Sequence, residues 1–277
     1  MKIVMGVDME GITCITSREH TSRDGRLYAQ GVEFMVGDIN AAVQGLVDAG
    51  VDDVIVWDNH GAGLNAPLAK FHPAARYVCG SGPNGTRWPY VDEDTDGLIL
   101  LGYHAKAGTL HATLEHTMSS ASWFRLKVNG REIGEIGYDG ALAGAVGVPV
   151  IMVSGDDKLC AEAADLFGPD AVTVCVKQGH ARHGALCLAA EKTAPMLRAG
   201  AAEAVGRIGK IQPLDLGSPA VVELTYKHTD HADGADLRGF AGRRIDGYTV
   251  QWTAPDFAAW AGFTAANRPP VGPGPTT

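Results

Sequence analysis

No apolar run in this chain approaches the roughly 20 residues that a membrane-spanning helix requires, and lysine and arginine are outnumbered, 23 against 32 acidic residues. The formal net charge of −9 argues against a nucleic-acid footprint, which needs clustered basic side chains, and against an anionic membrane surface. Cysteine is scarce as well: Cys14, Cys79, Cys160, Cys175 and Cys187 are odd in number and scattered, with no CxxC pair. That pattern excludes a disulfide framework and fits reduced thiols. The opening residues lack the basic, apolar and small-residue regions of a signal peptide, so a cytoplasmic protein is expected. Two nucleotide signatures are missing too. GSGPNGT at 80–86 lacks the GxxxxGK[ST] frame, and an acidic DMEG follows the first strand where a dinucleotide site has a glycine-rich turn.

What is present is an alternation of short apolar runs with helix-period segments, in a chain that is 45% hydrophobic and rich in glycine, with 36. KIVMGV, DVIVW at 53–57, RYVCG at 76–80 and GLILLG at 97–102 read as strands. Between the first two, Val32, Val36, Ile39, Val43 and Leu46 form one face of a helix that stops at Gly50. Asn129-Gly130 within FRLKVNGREIGEIG predicts a hairpin. A helix over 138–146, a strand over 149–157, a helix KLCAEAADLF capped by Asp157 and a strand over 171–177 follow. After about 190 come a helix to 208, strands at 219–226 and 248–253, and a short helix at 255–266. The expected fold is α/β: a mixed, mainly parallel sheet flanked by helices, with a smaller C-terminal α+β portion. The expected division is a metal-binding catalytic part over 1–188, the smaller portion over 189–267 and a disordered tail over 268–277.

Open α/β sheets place their ligand sites beyond the carboxyl ends of the strands. The first strand ends in Asp8-Met9-Glu10, DVIVW runs into His60, GLILLG runs into His104, and the hairpin's second arm carries Glu135. Asp8 and Glu10 are two positions apart on an extended chain, so they point the same way and repel unless a cation sits between them or one takes a proton. Carboxylates and imidazoles in about equal number are the donor set of zinc, manganese or iron hydrolase sites. Five donors exceed the need of one tetrahedral zinc with an open position and suit two metals sharing a bridging carboxylate, for which Asp8 is the choice. His180/His183 and His228/His231 share an HxxH spacing but lack a helical context and a third ligand, and they read as surface features.

VDMEGI, WDNH, LGYHAKAGT, EHTM and GEIGYDGALAG resemble the motif blocks of the dinuclear zinc D-aminopeptidases, the family named for the bacterial dipeptide-transport operon enzyme. The resemblance implies two Zn2+ per chain, one held by Asp8, Glu10 and His60, the other by Asp8, His104 and Glu135, with Mn2+ or Co2+ admitted by the same donors. It implies that His116 is the catalytic histidine rather than a ligand, and that the protein is a homo-oligomer, a decameric ring of two stacked pentamers. The expected activity is removal of an N-terminal residue, in the D configuration, from short peptides or aminoacyl amides. A related amidohydrolase acting on a non-peptide amide or β-amino substrate is the alternative, and a metal-binding scaffold without chemistry the distant one. Lys106, Asp139 and His111 are candidate substrate contacts; a carboxylate meeting the substrate amine is one role for Asp139 or Asp58, and holding a ligand or capping a helix is the other. Cys14 and His111 depart from the family pattern, which has small residues there.

Overall fold

The computed structural model describes residues 1–80, 87–237 and 239–263. Strand β1 (Lys2–Val7) leads through a short helix α1 (Arg18–Thr21) into the long helix α2 (Tyr28–Asp48), then β2 (Asp53–Asp58), β3 (Ala75–Val78) and β4 (Gly97–Leu101). The hairpin β5 (Trp123–Val128) and β6 (Arg131–Ile133) turns at Asn129 and Gly130, both at positive φ, as a two-residue type I′ turn demands. Helix α3 (Glu135–Gly144), strand β7 (Val150–Asp156) and helix α4 (Asp157–Phe167) come next, before the hairpin β8 (Val172–Ala181) and β9 (Gly184–Cys187) and helix α5 (Ala190–Val205). The chain closes with β10 (Ala220–Tyr226), α6 (Thr229–Asp233), β11 (Ala241–Arg244), β12 (Thr249–Ala254) and α7 (Phe257–Ala261). Among the described residues no helix is long and apolar enough to cross a membrane.

The first sheet has the order β3-β2-β1-β4-β7-β8-β9 and is parallel except for β9; the second, β11-β12-β10-β5-β6, is antiparallel. The mixed, mainly parallel sheet flanked by helices is therefore the architecture expected. β1 lies between β2 and β4, with Val7 opposite Asp58 on one side and Leu101 on the other. Whatever follows these three strands emerges side by side at one edge. The strands have the near-continuous apolar character of a sheet covered on both faces: β4 is buried at all its positions and β1 at all but the first. The apolar stripe of α2 faces inward, with Val32, Val36, Ile39, Val43 and Leu46 buried, and α2 packs on α5.

Several local expectations shift. α3 begins at Glu135 with Gly134 as its N-cap, so Glu135 opens a helix instead of ending a hairpin arm. The cap of α4 is Asp156, whose carboxylate accepts from the backbone N–H groups of Lys158 and Leu159, and not Asp157. β8 runs on to Ala181 and folds back as β9, which makes a hairpin of the stretch around His180 and His183. The second sheet draws β5 and β6 from before residue 188 and β10 to β12 from after it, so strand pairing crosses that line. The glycine-rich 81–86 and the tail lie outside the described residues.

The turn after β1 is fixed from below and from the side. Lys177 on β8 is buried, and its Nζ donates to the carbonyl oxygens of Glu10, Ile12 and Ile15 at 2.6, 2.9 and 2.5 Å. Asp38 on α2 accepts from the Thr13 N–H at 2.9 Å. Gly11 crosses the β4 exit so closely that a Cβ there would stand 1.8 Å from the Tyr103 carbonyl oxygen, and its own N–H donates to Gly102 at 2.7 Å. Gly11→Ala is expected to force the two turns apart and to lower unfolding stability by about 2–3 kcal/mol, since the clash is with main chain that has no rotamer to change. A denaturant midpoint equal to wild type would show that the crossing is slack.

Candidate metal centre

Asp8, His60 and His104 stand at the ends of the three adjacent strands β1, β2 and β4, and Glu10 follows two residues after Asp8. Glu135 enters from the N-terminus of α3, and His116 from the connection between β4 and β5. His60 Nδ1 is 2.8 Å from Asp8 Oδ1 and 3.1 Å from Glu10 Oε2. His104 Nε2 is 3.3 Å from both Asp8 Oδ2 and Glu135 Oε1. His116 Nε2 is 3.5 Å from Glu135 Oε1, and its ring stacks on that of His104 with centroids 3.9 Å apart. Two overlapping triads result, Asp8–Glu10–His104 and His104–His116–Glu135, within each of which the donor atoms lie no more than 4.8 Å apart.

The outer nitrogens of the three histidines are held by main-chain carbonyls. His60 Nε2 donates to Thr21 O at 3.0 Å, His104 Nδ1 to Ala105 O at 3.1 Å and His116 Nδ1 to Leu114 O at 2.9 Å. A carbonyl only accepts, so each of these nitrogens carries a proton, and the other nitrogen of each ring faces the carboxylates, where it holds a second proton or is free to bind a metal. This is the arrangement that orients metal-binding imidazoles. Glu10 Oε2 and His104 Nε2 are buried and, among the described residues, meet only these ion-pair contacts and no well-directed hydrogen bond. An ion between them would satisfy both atoms at once. The donors fit the zinc that the resemblance implies.

Without a metal, protons must play the cation. Burial alone would depress the His60 imidazole, but Glu10 and Asp8 overrule it and raise its pKa to about 12; the carboxylates of Glu135 and Asp8 likewise raise His104 well above its usual range. In return, burial would raise both carboxylates, but the neighbouring histidines overrule it, lowering Glu135 to about 2 and Asp8 well below the carboxylate range.

Asp8, Glu10, His60, His116 and Glu135 line a cleft of about 740 Å³, with His104 fully buried behind its wall; the other walls include Arg18, Thr21, Asn59, Arg87, Met118, Ser119, Arg182 and His183. A model of the Peptidase_M55 family, D-aminopeptidase, matches residues 1–265. The chain belongs to the M55 D-aminopeptidase family. It is 30% identical over 259 residues to the D-aminopeptidase of Bacillus subtilis (strain 168), covering 92% of each chain. It is similar also to the solved structure of the zinc-dependent D-aminopeptidase DppA from Bacillus subtilis, described as a self-compartmentalizing protease, with 31% identity, 93% of each chain covered and a TM-score of 0.87.

Among the described residues, the wall of this M55 cleft contains none of Lys106, His111 and Asp139, the three expected substrate contacts. Lys106 turns toward Glu162, which accepts from its backbone N–H at 2.9 Å and faces its Nζ at 3.8 Å. His111 is exposed and engaged with the His180 carbonyl at 3.0 Å. Asp139 is fully buried and accepts from Trp88 Nε1 and Tyr103 Oη, both at 2.8 Å, and from both Nε and Nη2 of Arg87, so it has no capacity left for a substrate amine. Asp58 is likewise occupied, accepting from the backbone N–H groups of His60 and Asn65. Cys14 adopts φ +62 and its thiol donates to Leu188 O at 3.3 Å; burial raises its pKa, so it stays a thiol. Sequence reasoning passed over Arg87 and Arg182 and read His183 as a surface feature, whereas it stands in the cleft wall. His183 was visible through its HxxH spacing, but only the β8–β9 turn carries it to the cleft.

Two pH effects follow for the metal-free protein. Glu135, lowered from 4.5 to about 2, contributes stability in full above pH 4.5 that is lost as pH falls toward 2. Zinc uptake must displace the protons held by His60 and His104, so metal affinity should rise with pH between 6 and 8, with proton release seen in a weakly buffered titration. Affinity flat across that range would mean that the histidines are already neutral.

Proposed function

We propose that this chain is a zinc-dependent aminopeptidase that removes a D-configured N-terminal residue from short peptides or aminoacyl amides, using two metal ions bridged by Asp8. Glu10 and His60 complete one ion's protein ligands, and His104 and Glu135 the other's. The observation that carries the reading is the fixed tautomer of all three histidines, together with the buried atoms Glu10 Oε2 and His104 Nε2, which meet only ion-pair contacts among the described residues. Family membership and the zinc dependence of the Bacillus relative support it. The relative's self-compartmentalizing assembly supports a homo-oligomer, here a decameric ring, and the reading includes a cytoplasmic location.

Zinc held by such donors supplies Lewis-acid polarisation of the scissile carbonyl and lowers the pKa of water toward neutrality. The chain itself supplies the proton for the leaving amine. His116 Nδ1 is committed to Leu114 O, so only Nε2 exchanges a proton with the cleft. Glu135, at 3.5 Å, stabilises the charged ring while it holds that proton. The Met118 N–H donates to Glu135 Oε1 at 2.7 Å and keeps the carboxylate aimed at both His104 and His116. Asp8 is aligned in the same manner by the Met9 N–H at 2.8 Å.

The compact triad with His104 and Glu135 favours a second reading, in which His116 is itself a ligand. One set of measurements separates the two. Metal content should be about two zinc per chain in wild type. His116→Ala should keep that content and lose about 100- to 10,000-fold in kcat, the usual worth of a positioned acid–base group. A fall in zinc instead makes His116 a ligand. Asp8→Ala should lose both ions; full retention would overturn the bridge.

A further inference from the structure

Arg87 lines the cleft beside His60, His116 and Glu135, with 20% of its side chain exposed. One edge of its guanidinium is taken: Nε and Nη2 donate to the two oxygens of Asp139, the latter at 2.8 Å. Its plane lies over the Tyr138 ring, 5.7 Å from the centroid. Asp139 is itself pinned by Trp88 and Tyr103, so the whole fork is rigid. Nη1 makes no hydrogen bond with any described residue, and an arginine has five N–H donors to place. The other two arginines of the cleft wall differ. Arg182 is paired with Glu115 at 2.8 Å, and Arg18 spends its Nε on Ser22 Oγ at 3.0 Å. One cleft therefore joins the metal-binding edge of Asp8, Glu10 and Glu135 to a guanidinium held in place by a fully buried carboxylate.

We propose that Arg87 is a specificity-determining residue that reads a carboxylate on the substrate, through its Nη1 edge, on the leaving-group side of the scissile amide. The proposal deepens the peptidase reading and rests on it for the bond cleaved. It makes substrates with a free carboxylate preferred over neutral aminoacyl amides. Pre-organisation by Asp139 matters because a fork already fixed loses little freedom when it binds.

The test uses the zinc-loaded full chain and three analogues in which a CH2–NH unit replaces the scissile amide: D-alanyl-glycine, its C-terminal amide, and D-alanyl-aspartate α-amide. Calorimetry should show the free acid binding wild type about 10- to 100-fold tighter than its amide, as one charge-assisted pair gives. If the aspartate analogue binds like the acid, a carboxylate of either origin is read; if it binds like the amide, the α-carboxylate is. Arg87→Met combined with Asp139→Asn, which removes the buried pair together, should abolish the preference while leaving amide binding within about twofold, the scatter expected when no contact to the ligand is lost. Equal binding of acid and amide by wild type, a preference that survives in the double variant, or an equal loss for both analogues would each overturn the proposal. Retained carboxylate preference without hydrolysis of the parent peptides would instead defeat the peptidase reading and leave the role of Arg87 standing.

Discussion

Three carboxylates, Asp8, Glu10 and Glu135, are crowded and buried at one edge of a parallel sheet, and their mutual repulsion has to be cancelled by positive charge. Two imidazoles supply it when protonated, and metal ions supply it when the protons leave. Much else in the molecule serves to hold that unfavourable cluster together. Lys177 ties down the turn bearing Glu10 by binding three carbonyls, Asp38 braces the same turn, and backbone N–H groups of Met9 and Met118 orient Asp8 and Glu135. The interior of the fold thus carries polar anchors at the points where the site needs rigidity.

A second buried charge pair, Arg87–Asp139, forms the neighbouring wall and is organised differently. It is neutral as a unit, with Asp139 fully buried and Trp88 touching β1 beneath it: a Cβ on Gly6 would stand 2.1 Å from the Trp88 ring. The metal-binding edge and the arginine wall are therefore mechanically continuous through β1.

Much of the site was legible because it follows from strand ends. Asp8, His60 and His104 each terminate an apolar run, and a parallel sheet must bring the ends of neighbouring strands together. The adjacency of β2, β1 and β4 was not itself legible, since pairing order leaves no local trace. Glu135 was found through its sequence block but placed on the wrong element, because the GREIGEIG alternation continues smoothly past the point where Gly134 starts a helix. Arg87 left no signal at all. Its meaning depends on Asp139, 52 residues further on, and a single arginine in irregular chain belongs to no period. The second sheet was missed for the same reason: the β5–β6 hairpin was evident from Asn129-Gly130, its partner β10 ninety residues later was not.

The three carbonyls that fix the histidine tautomers come from Thr21, Ala105 and Leu114, and they are main-chain atoms. Every amino acid supplies the same carbonyl. A substitution at any of these positions leaves the proton on the outer nitrogen where it is, so long as the backbone keeps its path. Control of the imidazoles is thereby stored in the shape of the chain and not in its side-chain alphabet. The walls of the cleft are free to diverge in sequence while the orientation of its donors is inherited with the fold.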